Sequence, residues 1–149
     1  MAIRDHTVLT FDVVGTCIDF ESGIVEAVER ITGGTGSVPG RSVLLEAFAR
    51  AEAHQQRRAA HLPFTQMLEP IYRAMARELG LPVETDQVGA LRASIPSWPA
   101  FPDATDALGR LARRFRLVAL TNADNWALGQ MSAVLGHPFE DTVTAEDVG

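Results

Sequence analysis

Apolar positions along this chain follow three rhythms in succession. Over residues 7–12 a short β-favouring run of Val8, Leu9 and Phe11 leads to Asp12 and a Gly15-Thr16 turn. That pattern predicts a buried strand with a carboxylate at its carboxyl end. From residue 21 to 95 the spacing becomes helical. Ile24, Val25, Val28 and Ile31 mark one face of a helix over 21–31, closed by Gly33-Gly34. Ser42 is placed to cap a second helix reaching about residue 60, with Leu45, Phe48, Ala49 and Glu52 along a mixed face. Met67, Leu68, Ile71, Met75 and Leu79 predict a third over 65–79, bent at Pro70 and stopped by Gly80. A shorter helix over 85–94 turns Val88, Leu91 and Ile95 inward, and Pro96, Pro99 and Pro102 then mark a boundary. Beyond it helix and strand alternate: helix 104–115, strand 116–121, helix 125–135 and a short strand near 142–144.

This order predicts an α/β protein. Its Rossmann-like parallel sheet core is assembled from residues 1–18 and 98–149, and residues 19–97 form an inserted helical domain. Open α/β sheets place their chemistry at the carboxyl ends of the strands. Asp12 ends the first strand, and the run from Leu117 to Leu120 delivers Thr121 and Asn122 to the end of the second. All three are expected in one crevice.

Composition narrows the function classes. The 149 residues can bury a core, and no apolar run approaches the ~20 residues that a membrane helix needs. The N-terminus lacks the charged-then-apolar form of a secretion signal, so a cytoplasmic location and no membrane partner are expected. A net charge of −6 argues against a nucleic-acid partner, which requires a basic face. All 13 basic residues are arginine; those at Arg57-Arg58 and from Arg110 to Arg116 sit on amphipathic helices and read as solvated faces. The single Cys17 cannot form an internal disulfide and reads as a small buried filler. Residues 33–40 contain Gly-x-Gly, but after a helix and without Gly-Lys-Ser/Thr, so neither phosphate-cradling motif is supported. His54, His61 and His137 have no metal-ligand spacing, and no metal is expected.

The segment from Leu9 to Asp19, with its Asp-Val-Val-Gly-Thr core, and the later Thr121-Asn122 resemble motifs one and two of the haloacid dehalogenase-like hydrolase superfamily. A helical insert of suitable length separates them. The resemblance implies a Rossmann-like core with a mobile helical cap, a nucleophilic role for Asp12, and substrate orientation by Thr121. Thr16 by the same analogy shapes the turn beside Asp12. In the superfamily's phosphatases the residue two after the nucleophile is a second aspartate that protonates the leaving alcohol. Here it is Val14, which can donate nothing, whereas a halide departs unprotonated. The chain is therefore most similar to the L-2-haloacid dehalogenase branch, which acts on small anionic 2-haloalkanoates through an aspartyl ester. That branch needs no cofactor; magnesium enters only under the alternative reading of an atypical phosphatase.

In the dehalogenase reading the turn amides of Val13 and Val14 with Thr121 hold the substrate carboxylate, and the Asn122 side-chain NH₂ accepts the leaving halide. A turn or capping role for Asn122 stays open. The branch also draws a halide-binding arginine from its first long cap helix; Arg50 lies nearest the expected place, with Arg41 and an ordinary solvated arginine as alternatives. The third motif normally supplies a lysine, and this sequence has none; Glu146 and Asp147 precede that point and are not its acidic fourth motif. The sequence stops at Gly149, before the motif. On that ground the first strand is expected as an unpaired edge that invites self-association, a homodimer among the outcomes, and these 149 residues are expected to turn over little substrate. A shortened, non-catalytic member is the remaining alternative.

Overall fold

A computed structural model describes residues 3–33, 39–59 and 61–148. Most of the 33–40 connector, residue 60 and Gly149 lie outside the described residues. The chain divides into two compact units, Met1–Phe20 with Pro96–Gly149, and Glu21–Ile95.

The first unit carries a three-stranded parallel sheet in the order β1-β2-β3: β1 (Val8–Phe11), β2 (Arg116–Thr121) and β3 (Asp141–Thr144). Leu9 pairs with Leu117 and Phe11 with Ala119, while Ala119 pairs with Thr142 and Thr121 with Thr144. Parallel neighbours need crossovers, supplied here by α5 (Ala104–Leu111) before β2 and α6 (Asn125–Val134) before β3. The expected α/β core with strands at 116–121 and near 142–144 is present. The helix expected over 104–115, α5, stops at Leu111, where Arg114 and Phe115 N–H both turn back onto the Leu111 carbonyl. That reversal feeds β2, whose Arg116 N–H donates to Thr7 O at 2.9 Å and opens the ladder with β1.

The expectation of a fully buried first strand is corrected. No β1 residue is buried, and Val8 is 44% exposed. In β2 burial alternates, with Leu117, Ala119 and Thr121 buried and Leu120 52% exposed. A parallel strand reads as continuously apolar when both faces are covered; in this unit only one face is, and β1 has a strand partner on one side alone among the described residues. Trp98, Ala104, Leu108, Ala127, Leu128 and Met131 of the same unit are all buried.

The second unit is helical: the body of α1 (Phe20–Ile31), then α2 (Arg41–Ala59), α3 (Phe64–Leu79) and α4 (Thr85–Ala93). Ile24, Val28, Leu68, Ile71, Met75, Val88, Leu91 and Ile95 are buried, as their spacing predicts. Gly80 stops α3 in the left-handed conformation at φ 69°, its N–H donating to the Ala76 carbonyl. Tyr72 fixes the following turn through a hydroxyl donated to Pro82 O at 2.9 Å. In α2 the predicted face is shifted: Leu44, Ala47, Phe48 and Ala51 are buried, whereas Ala49 is exposed. Ser42 is not the cap but lies inside the first turn, since Leu44 N–H already bonds Gly40 O. Arg41 starts the helix and ties it to α1 through Glu21 and Ser22.

Candidate active site

Past β1 the chain makes a tight loop in which one carbonyl does most of the holding. Val13 O accepts the N–H groups of Thr16, Cys17 and Ile18, and Gly15 N–H returns to Ile18 O at 2.9 Å. Gly15 has φ +85°, a conformation open to glycine at little steric cost, and a Cβ there would stand 3.3 Å from the Phe20 ring. The loop is then fastened to the segment returning from the helical unit. Asp19 N–H donates to Pro99 O at 2.8 Å and Phe101 N–H to Cys17 O at 3.0 Å, flanking an antiparallel bridge between Ile18 and Ala100.

This frame presents Asp12 exposed at the strand end. Thr16 Oγ1 donates to Asp12 Oδ2 at 2.6 Å, a short charge-assisted bond. Asp12 Oδ1 has no hydrogen bond among the described residues. Cys17 Sγ lies 3.5 Å from the Asp12 carbonyl, and burial, followed by the charges of Asp12 and Asp103, pushes its thiol up from the ordinary range. It is the buried filler expected of it.

At the end of β2 Thr121 is buried, and its Oγ1 accepts the Ala123 N–H at 3.2 Å. With the acceptor side occupied, its hydroxyl proton is left to donate. Asn122 is exposed and has no side-chain partner among the described residues. Capping of α6 belongs instead to Asp124, buried, whose Oδ1 accepts Ala127 N–H at 3.0 Å. The capping alternative for Asn122 is thereby excluded, while Asn122 lies in the bend between β2 and α6.

Asp12, Thr121 and Asn122 share one cavity of about 230 Å³, completed by Leu120, Val143, Thr144, Ala145 and Val148. Of the named candidates, Val13 is buried to 0% exposure, backbone included, so the expected contact of its amide with a ligand is corrected: its carbonyl is spent inside the loop, while Val14 is half-buried. Arg50 belongs to the helical unit and is exposed, ion-paired to Glu78 and Glu46. Any anion-binding role for it begins by breaking those pairs.

One network escaped the sequence reading. Thr144 donates its hydroxyl proton to Asp147 Oδ2 at 2.9 Å, with Asn125 Oδ1 as the alternative acceptor at 3.2 Å, and its N–H to the same carboxylate at 2.7 Å. Glu146 accepts the Asn125 N–H at 2.9 Å. These acids fix the start of α6 to the end of β3. Among the described residues no basic side chain lines the cavity.

No family model matches the chain, and no curated protein matches it by sequence. Solved structures do. An L-2-haloacid dehalogenase superposes with a TM-score of 0.80 at 19% identity, over 94% of this chain and 62% of that one. The L-2-haloacid dehalogenase of Xanthobacter autotrophicus gives 0.75 at 19% identity, over 94% and 57%. A defluorinating L-2-haloacid dehalogenase gives 0.81 at 15% identity, over 94% and 60%. The chain thus spans less than two thirds of the length of these relatives, and it has the fold of the haloacid dehalogenase-like hydrolases.

Proposed function

We propose that Asp12 is the nucleophile of a hydrolase that cleaves carbon–halogen bonds in short 2-haloalkanoic acids. The carrying observation is a carboxylate with one oxygen held by Thr16 and the other free, two residues before a valine that cannot donate a proton. Asp12 Oδ1 attacks C2 of the substrate; the new O–C bond forms as the carbon–halogen bond breaks, and the halide leaves with its electron pair. Thr121 hydroxyl and the Val14 N–H, which takes no protein acceptor among the described residues, orient the substrate carboxylate. The unengaged Asn122 amide solvates the departing halide. Water then adds to the Asp12 acyl carbon, the acyl C–O bond breaks, and the 2-hydroxyacid leaves carrying the former Oδ1 and one proton from the water, while the water oxygen stays in the regenerated Asp12 carboxylate and the second proton passes to solvent.

The fold similarity supports this reading, and one related structure contains chloropropionic acid covalently bound. A magnesium-dependent phosphatase is less well served. Mg²⁺ is held by one or two carboxylates with near-octahedral oxygen geometry, and among the described residues Asp12 is the only carboxylate lining the cavity. Asp147 and Glu146 are committed to Thr144 and Asn125.

Incubation with L-2-bromopropionate in heavy-oxygen water, followed by peptide mass spectrometry, tests the proposal. The expected result is an ester adduct or incorporated label on the peptide carrying Asp12, absent in Asp12→Asn. A chain that neither esterifies nor labels at Asp12 ends the proposal.

A further inference from the structure

At the opposite end of the sheet from Asp12, the 3-10 turn Ile3–Asp5 and the reversal after α5 enclose a second cavity. It measures about 690 Å³, three times the volume of the one at Asp12. Ile3, Ala107, Leu111 and Phe115 supply its apolar surface, and Arg110, Arg113, Arg114 and His6 its polar groups. The Arg116 to Thr7 backbone bond brings these two segments together. From His6 to Asp12 the chain runs six residues along β1, about 20 Å when extended. The two cavities are therefore separate.

The three guanidiniums are exposed and make no ion pair or side-chain hydrogen bond among the described residues. Arg41, Arg50, Arg73 and Arg116 are each paired to a carboxylate, whereas Arg57, Arg58 and Arg77 are also unpaired among the described residues; what distinguishes Arg110, Arg113 and Arg114 is that they line one recess. Among the described residues no acid lines the cavity. A chain of net charge −6 has thus gathered three unneutralised arginines around one partly apolar recess. Guanidinium forks match the planar spacing of oxyanions and bind them in bidentate fashion.

We infer that this cavity is a binding site for a small polyanion, a molecule with two or more closely spaced phosphate or carboxylate groups. The arginines grip the oxyanions while Phe115 and Leu111 contact the molecule's carbon body. The site is independent of the chemistry proposed at Asp12.

Isothermal titration calorimetry of the chain with inorganic tripolyphosphate and with citrate tests this, the two probes separating a phosphate from a carboxylate ligand. Saturable 1:1 binding of at least one probe is expected. It should weaken at least about tenfold in Arg110→Gln/Arg114→Gln, consistent with the loss of charge-assisted bonds. Asp12→Asn should leave it unchanged, as should Arg57→Gln/Arg58→Gln, a basic pair on the other unit. Circular dichroism verifies folding, and the single Arg113→Gln variant carries the test if the double variant does not fold. No saturable binding of either probe at millimolar concentration overturns the inference. So does binding that survives loss of the cavity arginines, or that falls equally in the Arg57/Arg58 variant.

Discussion

Replacing Gly15 by alanine probes the loop that presents Asp12. The residue sits at φ +85°, where a Cβ costs an L-residue on the order of 1–2 kcal/mol. The added carbon would also stand 3.3 Å from a Phe20 ring carbon, inside the ~3.5–4.0 Å optimum for carbon pairs, so the ring must give by a few tenths of an ångström. Against this, alanine restricts the unfolded chain and returns roughly 0.4–1 kcal/mol. The balance is a destabilisation of about 1–2 kcal/mol. With a urea m-value of roughly 2 kcal/mol/M, the midpoint falls by about 0.5–1 M at constant m. Gly129→Ala is the internal control: it lies within α6, nothing stands within 4 Å of its Cβ position, and helix propensity alone predicts about 0.5–1 kcal/mol of added stability. Urea unfolding followed by circular dichroism reads both. The reasoning is refuted if Gly15→Ala unfolds at or above the wild-type midpoint while Gly129→Ala shifts upward as expected.

Three further outcomes follow from the same geometry. Asp124→Ala removes the α6 cap and should cost about 1 kcal/mol by thermal or urea unfolding, whereas Asp124→Ser, which can still cap, should recover most of it. Cys17, its thiol raised by burial and by the nearby carboxylates, stays protonated at neutral pH; iodoacetamide should label it much more slowly in the native chain than in urea, and equal rates would contradict its buried position. Asp147 is held below the usual carboxylate range by the Thr144 backbone and hydroxyl donors. A lowered folded-state value gives stability that is present above the unfolded pKa and lost as pH falls through the folded one. Asp147→Asn should therefore flatten the acid limb of the stability profile while leaving its neutral plateau lower, measured by denaturation from pH 6 down to 3.

Local patterns carried the order of elements. Strong 3.6-residue spacing at Leu68, Ile71 and Met75 with Gly80 beyond located α3, and the apolar run before Thr121 located β2 at its true bounds. Asp12, Thr121 and Asn122 were legible as one crevice because a parallel sheet aligns its strand ends. What pattern could not carry was anything decided by neighbours. Val8 and Leu120 look like core residues, yet their exposure depends on whether that sheet face is covered. The α2 stripe was misread by one position because alanine, favourable on either face of a helix, fills both Ala47 and Ala49. Arg50 could be singled out as a free cation only while Glu78, 28 residues away, was out of view. The roles of Asp124 and Thr144 arise from hydrogen bonds between elements joined only by folding; the placement of Asp124 just before a helical run was the one available signal.

The ribbon formed by Ile18 with Ala100, and by the bonds of Asp19 to Pro99 and of Phe101 to Cys17, means that the chain departs from the sheet unit and re-enters it at a single doorway. Seventy-five residues, Glu21–Ile95, are threaded through that doorway. Excision of this passage with a short bridging linker closes a gap that the native backbone already holds shut, so the sheet unit is a scaffold onto which other inserts can be grafted at small entropic cost.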